Sequence, residues 1–152
     1  MRLVVPETTV TLPAPLPPDR VARGDQPPYP PREVVIRATP AAELLQWVFD
    51  AGEQTGAGTA IVGLFAGGAD PGELVAGVMR LGGARAQALV ERLLRYTRIV
   101  YDRRVVELTS RDAFDEAFTG ELLFLADVIR EVAKAAFESF SRGRAPAPHP
   151  TA

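Results

Sequence analysis

Residues 84–101 read ARAQALVERLLRYTRIVY, and the fold turns on how they are read. Leu89, Leu93, Tyr96 and Val100 stand at spacings of four, three and four, which puts them on one face of an α-helix. Arg92, Arg95 and Arg98 recur every three residues and become neighbours on one side of the same helix. The spacing predicts one long amphipathic helix carrying an arginine stripe.

The pattern on both sides is helical too. Downstream, Asp127, Arg130, Lys134 and Glu138 form a polar stripe, and Leu122, Leu125, Ile129, Val132 and Ala136 lie opposite it. Ser110 is a candidate cap for the helix before it, and Asp112, Asp115 and Glu116 suit that helix's N-terminal turns. Upstream, Asp70 and Pro71 open a helix that Gly82 and Gly83 stop. Thr39 can cap and Pro40 can lead a further helix with Leu44, Trp47 and Val48 on one face, which Gly52 is expected to end. The apolar run at 59–68 fits either a short helix or a buried segment.

Ten of the fourteen prolines fall in the first 40 residues. Proline fixes φ and removes the amide donor, so residues 13–31 should be extended or turning and contribute little to a core. Two short β-prone runs, VTL (10–12) and EVVIRA (33–38), flank this arm and could pair with RRVVEL (103–108). The expected fold is mainly α: a single helical domain of five or six helices with a small β element and an extended Pro-rich N-terminal arm. Its expected division is an arm over 1–38, a helical domain over 39–141 and a flexible tail over 142–152, where Ser141, Gly143 and three prolines end the helix.

A chain of 152 residues, 47% hydrophobic, supports one core. A formal net charge of -2 exerts no global pull toward nucleic acid or anionic membrane. Charge is nonetheless uneven, with five acids and no base over 41–79 and eight arginines against three acids over 80–111. The arginine helix is therefore read as a solvated face, a partner for the acidic 41–79 segment, or a phosphate contact through Arg92, Arg95 and Arg98. Nucleic acid is not the expected partner. With no cysteine, and with every apolar run far short of the roughly 20 residues a membrane helix needs, a cytoplasmic location without membrane contact is expected.

Catalytic chemistry finds no foothold. The sole histidine, His149, lies in the proline-rich end, so a Ser-His-Asp or Cys-His arrangement is not available within one chain. GEQTGAGTA (52–60) lacks the lysine of a phosphate loop, and Ile61 stands where a dinucleotide loop needs a third small residue. The carboxylates at 112, 115 and 116 are accounted for by the helix start. A non-enzyme with no cofactor and no metal is expected. PPYPPR (27–32) has the P-x-x-P-x-R spacing read by polyproline-binding grooves, a cheap match in an arm so rich in proline.

Residues 114–140, FDEAFTGELLFLADVIREVAKAAFESF, resemble the C-terminal part of tail assembly chaperones of long-tailed bacteriophages. The likeness falls on Phe114, Asp115, Glu116, Phe118 and Gly120, then on the aliphatic helix Leu122–Val132, then on Phe137 and Phe140. Many relatives carry an asparagine where this chain has Ala135 and Ala136, and the Pro-rich arm has no part in the resemblance. What it implies is a non-enzymatic protein that coats the long, helical tape measure protein while tail tube protein assembles around it, with self-association a further expectation. Phe114, Phe118, Phe137 and Phe140 are then the candidate partner-binding residues, and Arg92, Arg95 and Arg98 candidate electrostatic contacts. The same phenylalanines, with Phe124, could instead pin the last helix to the core. The alternatives are a nucleic-acid-binding regulator using the arginine helix, or another phage structural protein such as a connector or tail terminator.

Overall fold

Thr97 begins a strand, and that ends the mainly α reading. The computed structural model describes residues 6–56 and 71–142, with side chains over 6–56 and 75–138. The 59–68 run, His149 and the tail beyond Arg142 lie outside the described residues. In chain order the elements are β1 (Glu7–Leu12), α1 (Pro18–Ala22), β2 (Arg32–Arg37), α2 (Ala41–Thr55), α3 (Pro71–Leu81), α4 (Gly83–Leu93), β3 (Thr97–Tyr101), β4 (Arg104–Glu107), α5 (Arg111–Phe118) and α6 (Leu122–Arg142).

The stretch 84–101 splits into α4 and β3. Ala86, Leu89, Val90 and Leu93 are the buried face of α4, and the Thr97 N–H donates to the Leu94 carbonyl at 3.0 Å in the turn that follows. From Tyr96 to Tyr101 the chain is aromatic or β-branched except at Arg98, and such side chains lose rotamer freedom in a helix and pack well on a pleated surface. Thr97 and Ile99 are buried with Arg98 between them, the period-two pattern of a strand. Tyr96 and Val100 therefore do not continue the apolar face of α4.

β3 is also central. The sheet has four antiparallel strands in the order β1-β2-β3-β4, so β3 stands between β2 and β4. The expected pairing of EVVIRA with RRVVEL does not occur; β2 meets β3 at Val34↔Ile99, and β3 meets β4 at Ile99↔Val106. The architecture is a mixed α/β arrangement in which the arm's two β-prone runs supply half of the sheet. One sheet face presents Leu12, Val34, Ile36 and Ile99 to a core completed by Trp47, Val48, Leu89, Leu94, Phe124, Val128, Val132 and Phe137. The other carries Glu33, Arg37, Arg98 and Glu107.

Helix ends follow local chemistry. Ser110 Oγ accepts from the Ala113 N–H at 3.2 Å, as its capping role requires. Pro40 precedes α2 without a side-chain cap, and α2 runs through a buried Gly52 to end at Gly56, whose φ of 70° is the left-handed closing conformation. Residues 13–31 are mostly exposed, but two features correct the expectation of an extended or turning, non-helical arm: Pro18–Ala22 forms the short helix α1, with Pro18 in the first helical position where its missing N–H costs nothing, and Tyr29 is buried. Tyr29 is 8% exposed, stacks edge-on against Phe124 at 5.2 Å between centroids, and donates its hydroxyl hydrogen to Asp127 on α6.

The β3–β4 hairpin turns on Asp102 and Arg103 at φ 48° and 66°. Both lie in the left-handed region, which suits the right-handed twist of a two-residue hairpin but costs an L-residue about 1–2 kcal/mol. Arg103→Gly removes that cost and adds back unfolded-chain entropy. The expected net effect is a gain of about 0.5–1 kcal/mol, read as a rise in Tm.

Candidate partner-binding groove

The structure separates the sequence-predicted aromatic set. Phe118 and Phe137 are each 3% exposed. Phe118 packs between Phe114 and Phe124 at 5.0 and 5.6 Å, and Phe137 lies 6.3 Å from the Trp47 ring. Both are core side chains in the folded chain, closed to a partner unless the core opens. Phe114 is half-buried at the edge of this cluster. Phe140 falls on α6, but its side chain is outside the described residues. The turn preceding α6 needs its glycine: Gly120 has φ 75°.

The arginine stripe is dispersed, because its three members stand on a helix, a turn and a strand. Arg92 Nη1 reaches Asp50 Oδ2 at 2.8 Å, joining α4 to the acidic 41–79 segment. Asp50 is held below the usual carboxylate range by the Gln46 side-chain amide and then by Arg92. Arg95 is exposed in the turn, and Arg98 faces Glu7 across the outer sheet surface at 3.6 Å. These three do not form one cationic face.

What the fold builds instead is a groove between α2 and the C-terminal half of α6. It measures about 510 Å³, with Ile36 and Thr8 at the sheet, Leu44 and Leu45 on α2, and Val132, Ala135 and Ala136 on α6 among its lining. Leu44 belongs to the buried face of α2, whereas Leu45, one residue on and about 100° further around the helix, is 40% exposed. Ala135 and Ala136 leave the space open because they end at Cβ. Arg37 and Glu138 supply the charged part of the lining. Sequence reading missed Leu45, and the available signal was an apolar residue off the Leu44–Trp47–Val48 face. It placed Ala136 on the apolar face of the last helix and otherwise noticed the two alanines as a departure from a family pattern.

A second cluster fastens the arm to α6. Arg32, 9% exposed, donates to both Glu121 oxygens at 2.8 and 2.6 Å. Its guanidinium carbon sits 4.7 Å from the Tyr101 ring centroid and 4.6 Å from that of Phe124. The hydrogen bonds from Arg32 hold the Glu121 carboxyl below the usual range, and burial, reinforced by Asp127, pushes the Tyr29 hydroxyl well above its own. Among the described residues, no group of three His, Cys, Asp or Glu could hold a metal ion, and no helix is long and apolar enough to cross a membrane. The groove can hold an apolar segment. Compared with protein-family models, curated proteins and solved structures, the chain matches none.

Proposed function

We propose that this chain is a non-enzymatic binding protein that holds a helical segment of a partner in the α2–α6 groove, acting as a tail assembly chaperone of a long-tailed bacteriophage. The tape measure protein is the client, and tail tube protein assembles as the client is handed on. The observation that carries the reading is the groove: an apolar channel between two helices with Leu45 exposed beside it and charge at Arg37 and Glu138. An amphipathic helix docks by laying its apolar face into such a channel. The resemblance over 114–140 supplies the client. The regulator alternative loses its premise, since Arg92, Arg95 and Arg98 do not share a helix face.

Coexpression with the tape measure protein tests it. Leu45→Arg places a charge on the groove wall at an exposed position, so stability should move by no more than about 0.5 kcal/mol. The soluble fraction of the client should collapse to that seen without the chaperone. Client solubility that is unchanged by Leu45→Arg and by Ala135→Arg removes the groove from the function. A chaperone also leaves the finished tail, whereas a connector or tail terminator stays, so finding the chain in purified tails would overturn the assignment.

A further inference from the structure

The two edges of the sheet are treated differently by this sequence. β4 is four residues long, begins with an arginine ion-paired to Glu116, and has α5 packed against it. β1 is six residues, Glu-Thr-Thr-Val-Thr-Leu, in unbroken register with β2 from Glu7↔Arg37 to Leu12↔Arg32. It contains no proline, no lysine and no bulge, the devices that normally blunt a strand edge.

The direction of the free backbone groups follows from two bonds. The Ala38 N–H donates to the Pro6 carbonyl at 3.0 Å, and the Arg37 N–H donates to Tyr96 at 3.1 Å. Antiparallel partners alternate between bonded and non-bonded pairs, so Thr8, Val10 and Leu12 bond toward β2. Glu7, Thr9 and Thr11 turn their N–H and C=O groups outward, and among the described residues nothing meets them.

We infer that β1 pairs antiparallel with β1 of a second copy of this chain, about a twofold axis at Thr9, to form one continuous sheet across the dimer. The register is self-complementary. Thr9 falls opposite Thr9 and Glu7 opposite Thr11, so every outward group of these residues finds a partner and no two carboxylates face each other. On the helix side, Thr8 falls opposite Val10, extending the apolar surface that Val10 already shares with the core. Centring on Val10 instead sets Glu7 against Pro13, which has no N–H to return. Such an interface is isologous and closes at two subunits. The inference rests on the edge and register of β1 and does not depend on the groove reading.

The test is the mass in solution of the full chain by sedimentation equilibrium across a concentration series. The wild type should pass from monomer to dimer as concentration rises. Thr9→Pro deletes an outward donor and leaves the β1–β2 bonds intact, so it should stay monomeric with an unchanged melt under dilute conditions. Thr8→Pro deletes an inward donor and should lower the melt. Should Thr9→Pro fail to fold, Thr9→Lys and Thr9→Glu carry the test: each alone sets like charges together at the twofold and should be monomeric, and an equimolar mixture should recover a heterodimer. A wild type that stays monomeric throughout, a dimeric Thr9→Lys, or a mixture that fails to pair overturns the inference.

Discussion

Phe124→Ala should destabilise the chain by about 3–5 kcal/mol, a large part of the roughly 5–15 kcal/mol a domain of this size has to lose. Phe124 is fully buried and joins several elements at one point. Its ring meets Phe118 of α5 at 5.6 Å, Tyr29 of the arm at 5.2 Å and the Arg32 guanidinium of β2 at 4.6 Å. Truncation opens a cavity whose walls are held by separate elements, so collapse to refill it would have to move all of them. Leu123, the preceding residue, is 65% exposed, and Leu123→Ala should shift stability by no more than about 0.5 kcal/mol. Urea unfolding of both variants gives the comparison. Similar losses would mean that the N-terminal turn of α6 is not oriented as described.

Glu121→Gln should cost about 1–3 kcal/mol at neutral pH, the range for leaving a buried donor short of its partner in a part-buried pair, and should cost more than Arg32→Met. The asymmetry comes from burial. Removing the carboxylate leaves the Arg32 charge, whose side chain is 9% exposed, without its counterion, while removing the arginine leaves a Glu121 side chain 29% exposed and reachable by water. Methionine can also refill the slot between the Tyr101 and Phe124 rings, losing mainly the cation–π attraction of about 0.5–2 kcal/mol. Acid separates the pair further. Arg32 lowers the Glu121 pKa in the folded chain, and unfolding returns it to about 4.3. The unfolded chain therefore binds the proton more readily, so the contribution is complete above about pH 4.3 and disappears as pH falls through the folded value. Wild type should lose stability over that window and Glu121→Gln should lose less. Parallel pH profiles, or a larger loss from Arg32→Met, would remove this pair from the account.

The phenylalanine-rich end illustrates how a motif can be legible in type and silent in role. Five of seven phenylalanines lie in 114–140, and the periodicity of that segment places its helix correctly. Whether an aromatic ring faces a client or the core depends on what packs opposite. Trp47, ninety residues before Phe137 in the chain, makes that position interior. The groove was illegible for the same reason, since its walls come from β2, α2 and α6 and no local pattern records their approach.

The sequence by itself determined the elements whose signals are local. The Ser110 cap, the glycine stop at 82–83, the buried faces of α2 and α4, and the β character of 33–38 all rest on neighbours within one or two turns of chain, whereas the apolar face expected for α6 is displaced, since Leu122 is 75% exposed while Phe124 and Val128 are fully buried. Tertiary structure alone decided Tyr96–Tyr101. Those residues satisfy a helical spacing and a strand alternation at once, and a strand has no stability until other strands supply its hydrogen bonds. Only with β2 on one side and β4 on the other does the pleated alternative prevail. That choice converted a small β element into a four-stranded sheet, dispersed the arginine stripe and, among the described residues, left the outer edge of β1 without a strand partner.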